Sequence, residues 1–170
     1  MKLRQRSPLY VGLLSLSTML GLKALSGQIA FSLVLNLSTS MPAGVYRIIP
    51  ARQLQRGMLV LFSLPDKAKR PLVNREWLNM DMPLLKPVAA IPGDAVCVNK
   101  MVVVNGRELG GVFTSDSRGR PLTAGKGCYV VSENAFLPLS LHSAHSYDGR
   151  YFGEVSQESI LGEAVPVVTW

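Results

Sequence analysis

Beyond residue 30 the chain alternates short apolar runs with residues that favour turns. The runs are apolar or alternating and have the length of β-strands. Pro92-Gly93-Asp94 and Asn105-Gly106 stand between runs and are typical of tight turns, the second of a β-hairpin. The pattern predicts a mainly β fold, a compact sandwich or barrel-like domain. The predicted strands are Ile29–Leu37, Val45–Ile49, Met58–Phe62, Leu85–Ile91, Ala95–Val98, Met101–Val104, Gly127–Ser132 and Ala164–Thr169.

Two segments interrupt this pattern. Residues 63–83 are charged and contain Trp77, Met80 and Met82, which predicts one short helix or a flap. A flap is suited to contact a substrate or a membrane, although a loop that only fills surface space has the same composition. Residues 140–147 are polar and predict a loop.

The N-terminus has the order of a secretory leader, in which a basic head precedes an apolar run and small residues. The run Leu9–Leu22 is 14 residues long, whereas a membrane-spanning helix needs about 20. Ala24-Leu25-Ser26 offers a cleavage site; alternatively Lys23 snorkels and the segment stays as an uncleaved anchor. Both interpretations predict a signal segment at residues 1–27 and an exported domain at residues 28–170.

Composition and charge agree with an exported protein at a membrane surface. The 170 residues suffice for one domain with its own core. Hydrophobic residues make up 48%, charged residues 17%, and the net charge is +7. The basic residues form no dense run, which argues against a nucleic-acid partner and favours the anionic inner-membrane surface. We expect a periplasmic domain associated with or anchored in that membrane, with its active site on the periplasmic side.

Cys97 and Cys128 are the only cysteines of the chain. In an exported domain an even number of cysteines favours a disulfide over a metal site. Two separate buried thiols are the alternative. No CxxC motif and no His/Cys cluster indicates a metal.

A hydroxyl-rich turn provides the first candidate for chemistry. In "NLSTSMPAGVYRI" Ser40 follows an apolar segment and precedes a proline and a glycine. A serine hydroxyl becomes a strong nucleophile only when a base accepts its proton. The two histidines, His142 and His145, both lie in the polar loop 140–147. A Ser-His-Asp triad stays open because its members meet in space rather than in sequence, but solvated loop histidines are the commoner case.

Lys86 is the other candidate base. An exposed lysine has a pKa near ~10.4 and holds its proton at neutral pH, whereas burial lowers that pKa by several units. In "MPLLKPVAAIPGD" Lys86 has apolar residues on both sides. A lysine that only snorkels from a strand end is the alternative. The apolar surroundings favour a neutral lysine that serves as the base.

Four sequence boxes between residues 38 and 153 resemble one peptidase family. "STSMPAGVY" resembles the nucleophile box of the signal-peptidase-I-like Ser/Lys peptidases, in the Ser-x-Pro-x-Gly-x-Tyr form of their conjugative-transfer branch, the TraF-type pilin-processing peptidases. "KPVAAIPGD" is similar to the lysine box, a lysine followed six residues later by Pro-Gly-Asp. "RGMLVLF" resembles the Arg-Gly-Asp strand box, and "SYDGRYFG" resembles the C-terminal box. The boxes follow one another in the family's order.

The resemblance implies a role for each matching residue. Ser40 would be the nucleophile and Lys86 the general base. Ser38 and the backbone N–H of Ser40 would donate hydrogen bonds to the oxyanion, and the loss of such a donor costs about 10²–10³ in rate. From the residues alone, Pro42 fixes its own backbone angle and Gly44 allows a sharp turn at the nucleophile.

The C-terminal box implies supporting roles. Ser146 would orient the lysine through a hydrogen bond, and Asp148 and Arg150 would form a pair beneath the site. Without the resemblance, that pair is an ordinary surface ion pair worth about 0–1 kcal/mol. The chain departs from the family pattern without losing a catalytic group, at Met58, Pro87, Ala90, Ser132-Glu133-Asn134, the long loop before Ser146, and Gly149.

The resemblance implies an exported serine endopeptidase that needs no cofactor and matures a pilin precursor. Its acyl-enzyme would pass the peptide to water or to the pilin's own amine, which gives a cyclic subunit, and other conjugation proteins are further partners. A general signal peptidase I that cleaves secretory leaders is one alternative. An autoproteolytic repressor would need a DNA-binding domain in place of the leader. A non-catalytic structural component of a conjugation apparatus would be expected to lack Ser40 or Lys86, and both are present.

Overall fold

The computed structural model describes residues 32–77, 79, 81–116, 118–125 and 127–170. The predicted signal segment, residues 1–27, lies outside the described residues, and so does the start of the predicted strand Ile29–Leu37. Within the described part of the chain, no helix is long and apolar enough to cross a membrane.

The described residues form eleven β-strands, two α-helices and a 3₁₀ turn at Gln157–Ser159. The helices are α1 (Asp66–Asn74) and α2 (Gly149–Phe152). The strands are β1 (Ser32–Asn36), β2 (Gly44–Ile49), β3 (Leu59–Phe62), β4 (Leu84–Ala90), β5 (Ala95–Val98), β6 (Met101–Val104), β7 (Arg107–Gly111), β8 (Gly127–Val130), β9 (Ala135–Pro138), β10 (Val155–Ser156) and β11 (Ile160–Thr169).

The strands form two sheets, which confirms the predicted mainly β fold. One sheet has seven strands in the order β1-β2-β11-β3-β4-β9-β10, and the other has four in the order β7-β6-β5-β8. The long strand β11 pairs antiparallel with both β2 and β3, and β4 pairs antiparallel with both β3 and β9. Strand β4 is therefore an interior strand of the larger sheet.

Apolar side chains cover both faces of the larger sheet. One cluster contains Val60, Phe62, Val88 and Phe136, and the rings of Phe62 and Phe136 meet edge to face with centroids 5.3 Å apart. Successive side chains of a strand point to opposite faces. A second cluster accordingly forms around the intervening residue Leu61, with Tyr46, Leu85 and Ala164. The interior strands β3 and β4 are thus shielded from water on both sides.

The turn predictions are confirmed. Asn105 and Gly106 connect β6 to β7 with φ angles of 48° and 81°, the left-handed conformation that a two-residue type I′ hairpin requires. Pro92-Gly93-Asp94 connects β4 to β5. Strand β7 was not predicted, because "RELGG" has no apolar alternation.

Cys97 and Cys128 form a disulfide. They stand opposite each other on the paired strands β5 and β8. The structure thus shows the disulfide that the sequence favoured, and not two separate thiols.

The charged segment 63–83 contains the predicted short helix, α1. Leu72 of this helix is buried in the apolar cluster that contains Phe62 and Phe136. The polar loop before α2 carries no strand or helix from residue 139 to residue 148, as predicted.

Candidate active site

Ser40 lies in the turn that connects β1 to β2. The turn is held by side chains on either side of it. The amide Nδ2 of Asn36 donates a hydrogen bond to the carbonyl of Pro42 at 3.0 Å. The hydroxyl of Tyr46, a buried residue of β2, donates to the same carbonyl at 2.8 Å. Tyr46, the last residue of the box "STSMPAGVY", thus has a structural role, since its hydrogen bond fixes the end of the turn.

Gly44 serves a different purpose from the predicted sharp turn. It is a buried residue of β2, paired with Thr169 of β11. A Cβ atom at this position would collide with the carbonyl oxygen of Val168 and would lie 2.9 Å from Cα of Thr169. The glycine is needed because the backbone of β11 comes close to the backbone of β2 at this position. This close pairing anchors β2 just after the turn that carries Ser40.

Lys86 lies on the interior strand β4, opposite Val60 of β3, and is only 4% exposed. Its amine contacts the hydroxyl of Ser40. Burial lowers the pKa of Lys86 from its ordinary value of 10.5 to about 8; the negative charge of Asp148 opposes this change and the positive charge of Arg150 adds to it. The lysine therefore releases its proton far more readily than a lysine in water.

The position of β4 is reinforced by an ion pair between two of the sequence boxes. Arg56 Nε donates to Asp94 at 2.7 Å, in the turn that ends the lysine strand. Asp94 also accepts hydrogen bonds from the backbone of Ile91 at 2.9 Å and from the side chain of Asn105 at 2.7 Å. The hydrogen bond from Arg56 is the main reason why the pKa of Asp94 is well below its usual range.

Ser38 contacts Ser40 directly. Its hydroxyl lies 3.1 Å from the hydroxyl of Ser40 and 2.7 Å from Oδ1 of Asn36. The oxyanion role that the resemblance implies for Ser38 stays a prediction.

Asp148 and Arg150 form a fully buried pair, with their side chains 0% and 2% exposed. The Nε and one terminal nitrogen of Arg150 each reach a carboxylate oxygen of Asp148 at 2.9 Å. The same pair binds the backbone of Ser140. Asp148 accepts a hydrogen bond from the N–H of Ser140 at 2.9 Å, and Arg150 donates one to the carbonyl of Ser140 at 2.7 Å. The hydroxyl of Ser140 in turn donates to the carbonyl of Ser40, 100 positions earlier in the chain. The pair beneath the site thus reaches the backbone of Ser40 through Ser140.

Ser146 is 4% exposed and lines the same cavity as Ser40 and Lys86. Its hydroxyl has no hydrogen-bond partner among the described residues. The hydrogen bond that would orient Lys86 is therefore absent from this structure, and that role of Ser146 remains a prediction.

Ser40 and Lys86 line a cavity of about 730 Å³. Leu72, Trp77 and Met82 of the segment 63–83 form part of its wall, so this segment, predicted as a helix or a flap, borders the same cavity as Ser40. A volume of this size is in the range of ligand-binding clefts.

An ionic cluster attaches this wall to the loop between β7 and β8. Asp116 accepts from Arg75 at 2.8 Å and from Arg120 at 2.7 Å. The two guanidinium groups also lie over the ring of Trp77, at 5.2 Å and 5.4 Å from its centroid. Two cation–π contacts and a shared carboxylate therefore fix Trp77 at the cavity.

The histidines occupy exposed positions in the loop before α2. His145 lines the cavity and stacks on Phe113 with ring centroids 4.8 Å apart. Within the described part of the chain, the Ser40 hydroxyl forms hydrogen bonds with the hydroxyl of Ser38 and with the amine of Lys86. The structure thus brings the serine to the lysine, and among the described residues neither histidine forms a hydrogen bond with that serine.

Sequence reasoning missed three residues that hold the nucleophile turn: Asn36, Tyr46 and Ser140. Tyr46 carried a signal, because it closes the nucleophile box, although its bond to Pro42 was not foreseen. Asn36 and Ser140 carried none, since each stands at the end of an apolar run and resembles an ordinary polar strand end.

The site thus combines a serine hydroxyl, an amine with a lowered pKa and a cleft beside them, which are the groups that nucleophilic acyl transfer requires. The family model described as signal peptidase, peptidase S26, matches residues 11–170, and the chain belongs to this family.

Two relatives are named "Conjugal transfer protein TraF". The one from Agrobacterium fabrum is 32% identical over 163 residues, which cover 86% of this chain and 90% of the relative. The one from Agrobacterium tumefaciens strain 15955 is 36% identical over 149 residues, which cover 80% of this chain and 82% of the relative. A crystal structure of a signal peptidase I from Enterococcus faecalis is similar with a TM-score of 0.41 and 20% identity, covering 66% of this chain and 97% of that one.

Proposed function

We propose that the chain is a Ser/Lys serine endopeptidase and transpeptidase that matures a conjugative pilin subunit, with Ser40 as nucleophile and Lys86 as general base. The observation that carries the proposal is the contact between the buried amine of Lys86 and the hydroxyl of Ser40. A lysine with a pKa of about 8 is partly neutral near neutral pH and can accept a proton, which an ordinary lysine cannot.

In the first step the oxygen of Ser40 attacks a peptide carbonyl while Lys86 takes the hydroxyl proton. The C–N bond of the resulting tetrahedral intermediate then breaks, and the ammonium of Lys86 gives its proton to the leaving amine. The product is an ester between Ser40 and the acyl part of the substrate. Lys86 is neutral again at this stage.

In the second step an acceptor attacks the ester, and Lys86 takes the acceptor's proton and returns it to the oxygen of Ser40. With water as acceptor, the product is a free carboxylate. With the substrate's own N-terminal amine as acceptor, the product is a cyclic chain, and no net water is consumed. An amine competes with water only when it is held close to the ester, since positioning supplies a large effective concentration. The wall formed by Leu72, Trp77 and Met82 is available to enclose such a folded-back substrate.

The role in conjugation is supported by the two relatives named as conjugal transfer proteins. The basic head and the apolar run Leu9–Leu22 support export and association with the inner membrane, so the substrate would be met on the periplasmic side. The partners in this proposal are the pilin precursor, the membrane surface and other proteins of the conjugation apparatus.

The test is to express the full chain with the pilin precursor of its conjugation system and to weigh the mature pilin by mass spectrometry. We expect the wild-type chain to give a pilin one water lighter than the linear form. Ser40→Ala and Lys86→Ala should leave the precursor unprocessed. Thr39→Ala and Lys100→Ala, which change an exposed neighbouring hydroxyl and an exposed lysine, are the matched controls and should process normally.

The products separate the alternatives. A shortened pilin of linear mass would support the peptidase and overturn cyclisation, as expected for a general signal peptidase I. Normal maturation in both active-site variants would overturn the Ser/Lys dyad and favour a structural component.

A further inference from the structure

Asn36 makes five hydrogen bonds with the turn that carries Ser40. Its Nδ2 atom donates to the carbonyls of Ser38, Met41 and Pro42 at 3.3, 3.3 and 3.0 Å. Its Oδ1 atom accepts from the backbone N–H of Ser38 at 3.2 Å and from the Ser38 hydroxyl at 2.7 Å. The asparagine side chain therefore ties together the backbone of residues 38 to 42.

The partners determine which way the amide of Asn36 points. Carbonyl oxygens can only accept hydrogen bonds, so the atom facing the three carbonyls must be the NH₂ group. A backbone N–H can only donate, so the atom facing Ser38 N must be the amide oxygen. Asn36 is 7% exposed, and water therefore competes little for these bonds.

A count of protons then determines the direction of the Ser38 hydroxyl. A serine has one hydroxyl proton. Because Oδ1 of Asn36 can only accept, the 2.7 Å contact takes the Ser38 proton. The oxygen of Ser38 therefore presents a lone pair, not a proton, to the hydroxyl of Ser40 at 3.1 Å.

This direction matters for the nucleophile. An O–H that donates to the oxygen of Ser40 would occupy one of the two lone pairs with which it attacks the substrate. With the Ser38 proton held by Asn36, the donor directed at that oxygen among the described residues is the amine of Lys86. Once Lys86 is neutral, its nitrogen has a lone pair, and the Ser40 proton can pass to it from the oxygen of Ser38.

We propose that Asn36 is a positioning residue that acts through Ser38: it shapes the nucleophile turn and holds the Ser38 proton away from Ser40. The proposal rests on the proposed function only in taking Ser40 as the nucleophile. On formation of the oxyanion, the Ser38 hydroxyl must leave Asn36 before it can donate elsewhere, so Asn36 is also the resting partner of that hydroxyl.

The experiment measures how fast a small activated ester, p-nitrophenyl acetate, acetylates Ser40 in the full chain in detergent, with the modified peptide identified by mass spectrometry. Asn36→Ala should slow acetylation about 10–100-fold, the scale of a misplaced reacting group. In the double variant with Ser38→Ala, the two losses should not multiply, because Asn36 has no Ser38 proton left to hold.

Tyr46→Phe is the matched control. It removes another hydrogen bond to the carbonyl of Pro42, and among the described residues the Tyr46 hydroxyl forms no hydrogen bond with Ser38. Its effect on acetylation should multiply with that of Ser38→Ala. Asn36→Asp keeps the two acceptor contacts to Ser38 and loses the donor contacts to the turn, and it replaces Asn36→Ala if the alanine variant does not fold.

Two results would overturn the inference: acetylation of Ser40 at the wild-type rate in Asn36→Ala, or losses that multiply in the double variant. A wild-type chain that is not acetylated at Ser40 would instead overturn the proposed function. In that case urea unfolding of the wild type, Asn36→Ala, Ser38→Ala and the double variant decides the inference. Independent effects of the two substitutions on the free energy of unfolding would show that Asn36 and Ser38 do not act as a unit.

Discussion

The amine of Lys86 contacts the hydroxyl of Ser40 across 46 positions of sequence, and the lysine comes from an interior strand while the serine comes from a turn. To serve as the proposed base for Ser40, the lysine must be without its proton for part of the time. Burial on β4 provides this, since the pKa of Lys86 is lowered to about 8.

The first prediction concerns the pH dependence of acylation. In the proposed mechanism the neutral form of Lys86 is the active form, so the rate of Ser40 acylation should rise about tenfold per pH unit below the pKa and level off above about 8. A stopped-time assay with p-nitrophenyl acetate over a pH series measures the midpoint. A midpoint near ~6.5 that disappears in His145→Gln would contradict the lysine base and favour a histidine.

The second prediction is that the buried lysine, Lys86, destabilises the fold. The pKa of Lys86 falls from 10.5 in the unfolded chain to about 8 in the folded one, so ionised Lys86 costs the folded state about 3 kcal/mol at neutral pH. Lys86→Met should therefore raise the free energy of unfolding while it abolishes acylation. Urea unfolding measures the difference.

The sign of its pH dependence follows from proton binding. Between about 8 and 10.5 the unfolded chain binds more protons at this site than the folded chain, so wild-type stability rises with pH there. The advantage of Lys86→Met should shrink across that window and vanish above it. Lys100→Met, at an exposed lysine, is the control, and an equal gain in that variant would count against burial as the cause.

The third prediction concerns Asp148. Its removal leaves the guanidinium of Arg150 buried without its carboxylate, which costs about 3–5 kcal/mol for a buried pair. Asp148→Asn should therefore lower the free energy of unfolding by about that amount, and should slow acylation because Ser140 loses its anchor beneath Ser40. Thermal and urea unfolding measure the loss.

Asp94→Asn is the comparison for Asp148→Asn. It also removes the carboxylate of an ion pair, but the Arg56 side chain that remains is 53% exposed. Water can replace the lost carboxylate there, so the loss should be much smaller. Similar losses in the two variants would mean that burial does not govern the Asp148–Arg150 pair.

The fourth prediction tests a departure from the family pattern. Gly149 stands where the resemblance places a serine, yet a Cβ atom here would lie 2.6 Å from the carbonyl oxygen of Pro138. Gly149→Ser should therefore destabilise the fold by about 1–3 kcal/mol, the usual cost of overpacking. Gly111→Ala, whose new methyl would meet the sulfur of Met101 at an ordinary 3.9 Å, is the control and should have little effect. Full stability of Gly149→Ser would show that β9 moves aside easily.

Local pattern predicted the strands whose own side chains alternate or are uniformly apolar. Strands β2 to β6 lie within two residues of their predicted bounds. The pattern did not predict strands β7, β9 and β10. These segments are strands because they pair with a neighbouring strand, and not because of their own pattern of apolar residues. Arg107–Gly111, for example, pairs with β6 only because the turn at Asn105-Gly106 sends the chain back along it.

The sequence by itself determined the mainly β fold and pointed to Ser40 and Lys86. An apolar setting around a lysine and a serine in a Pro/Gly turn are local features, and they can be read without knowing any contact. The sequence could not determine that Asp148 and Arg150 are buried, since the same two residues are also common as an ion pair on a solvated surface. Nor could it assign Ser140 to the carbonyl of Ser40, 100 positions away. Burial and hydrogen-bond partners are properties of the assembled sheets, because a polar side chain is committed to one partner only when folding removes the water that would otherwise satisfy it.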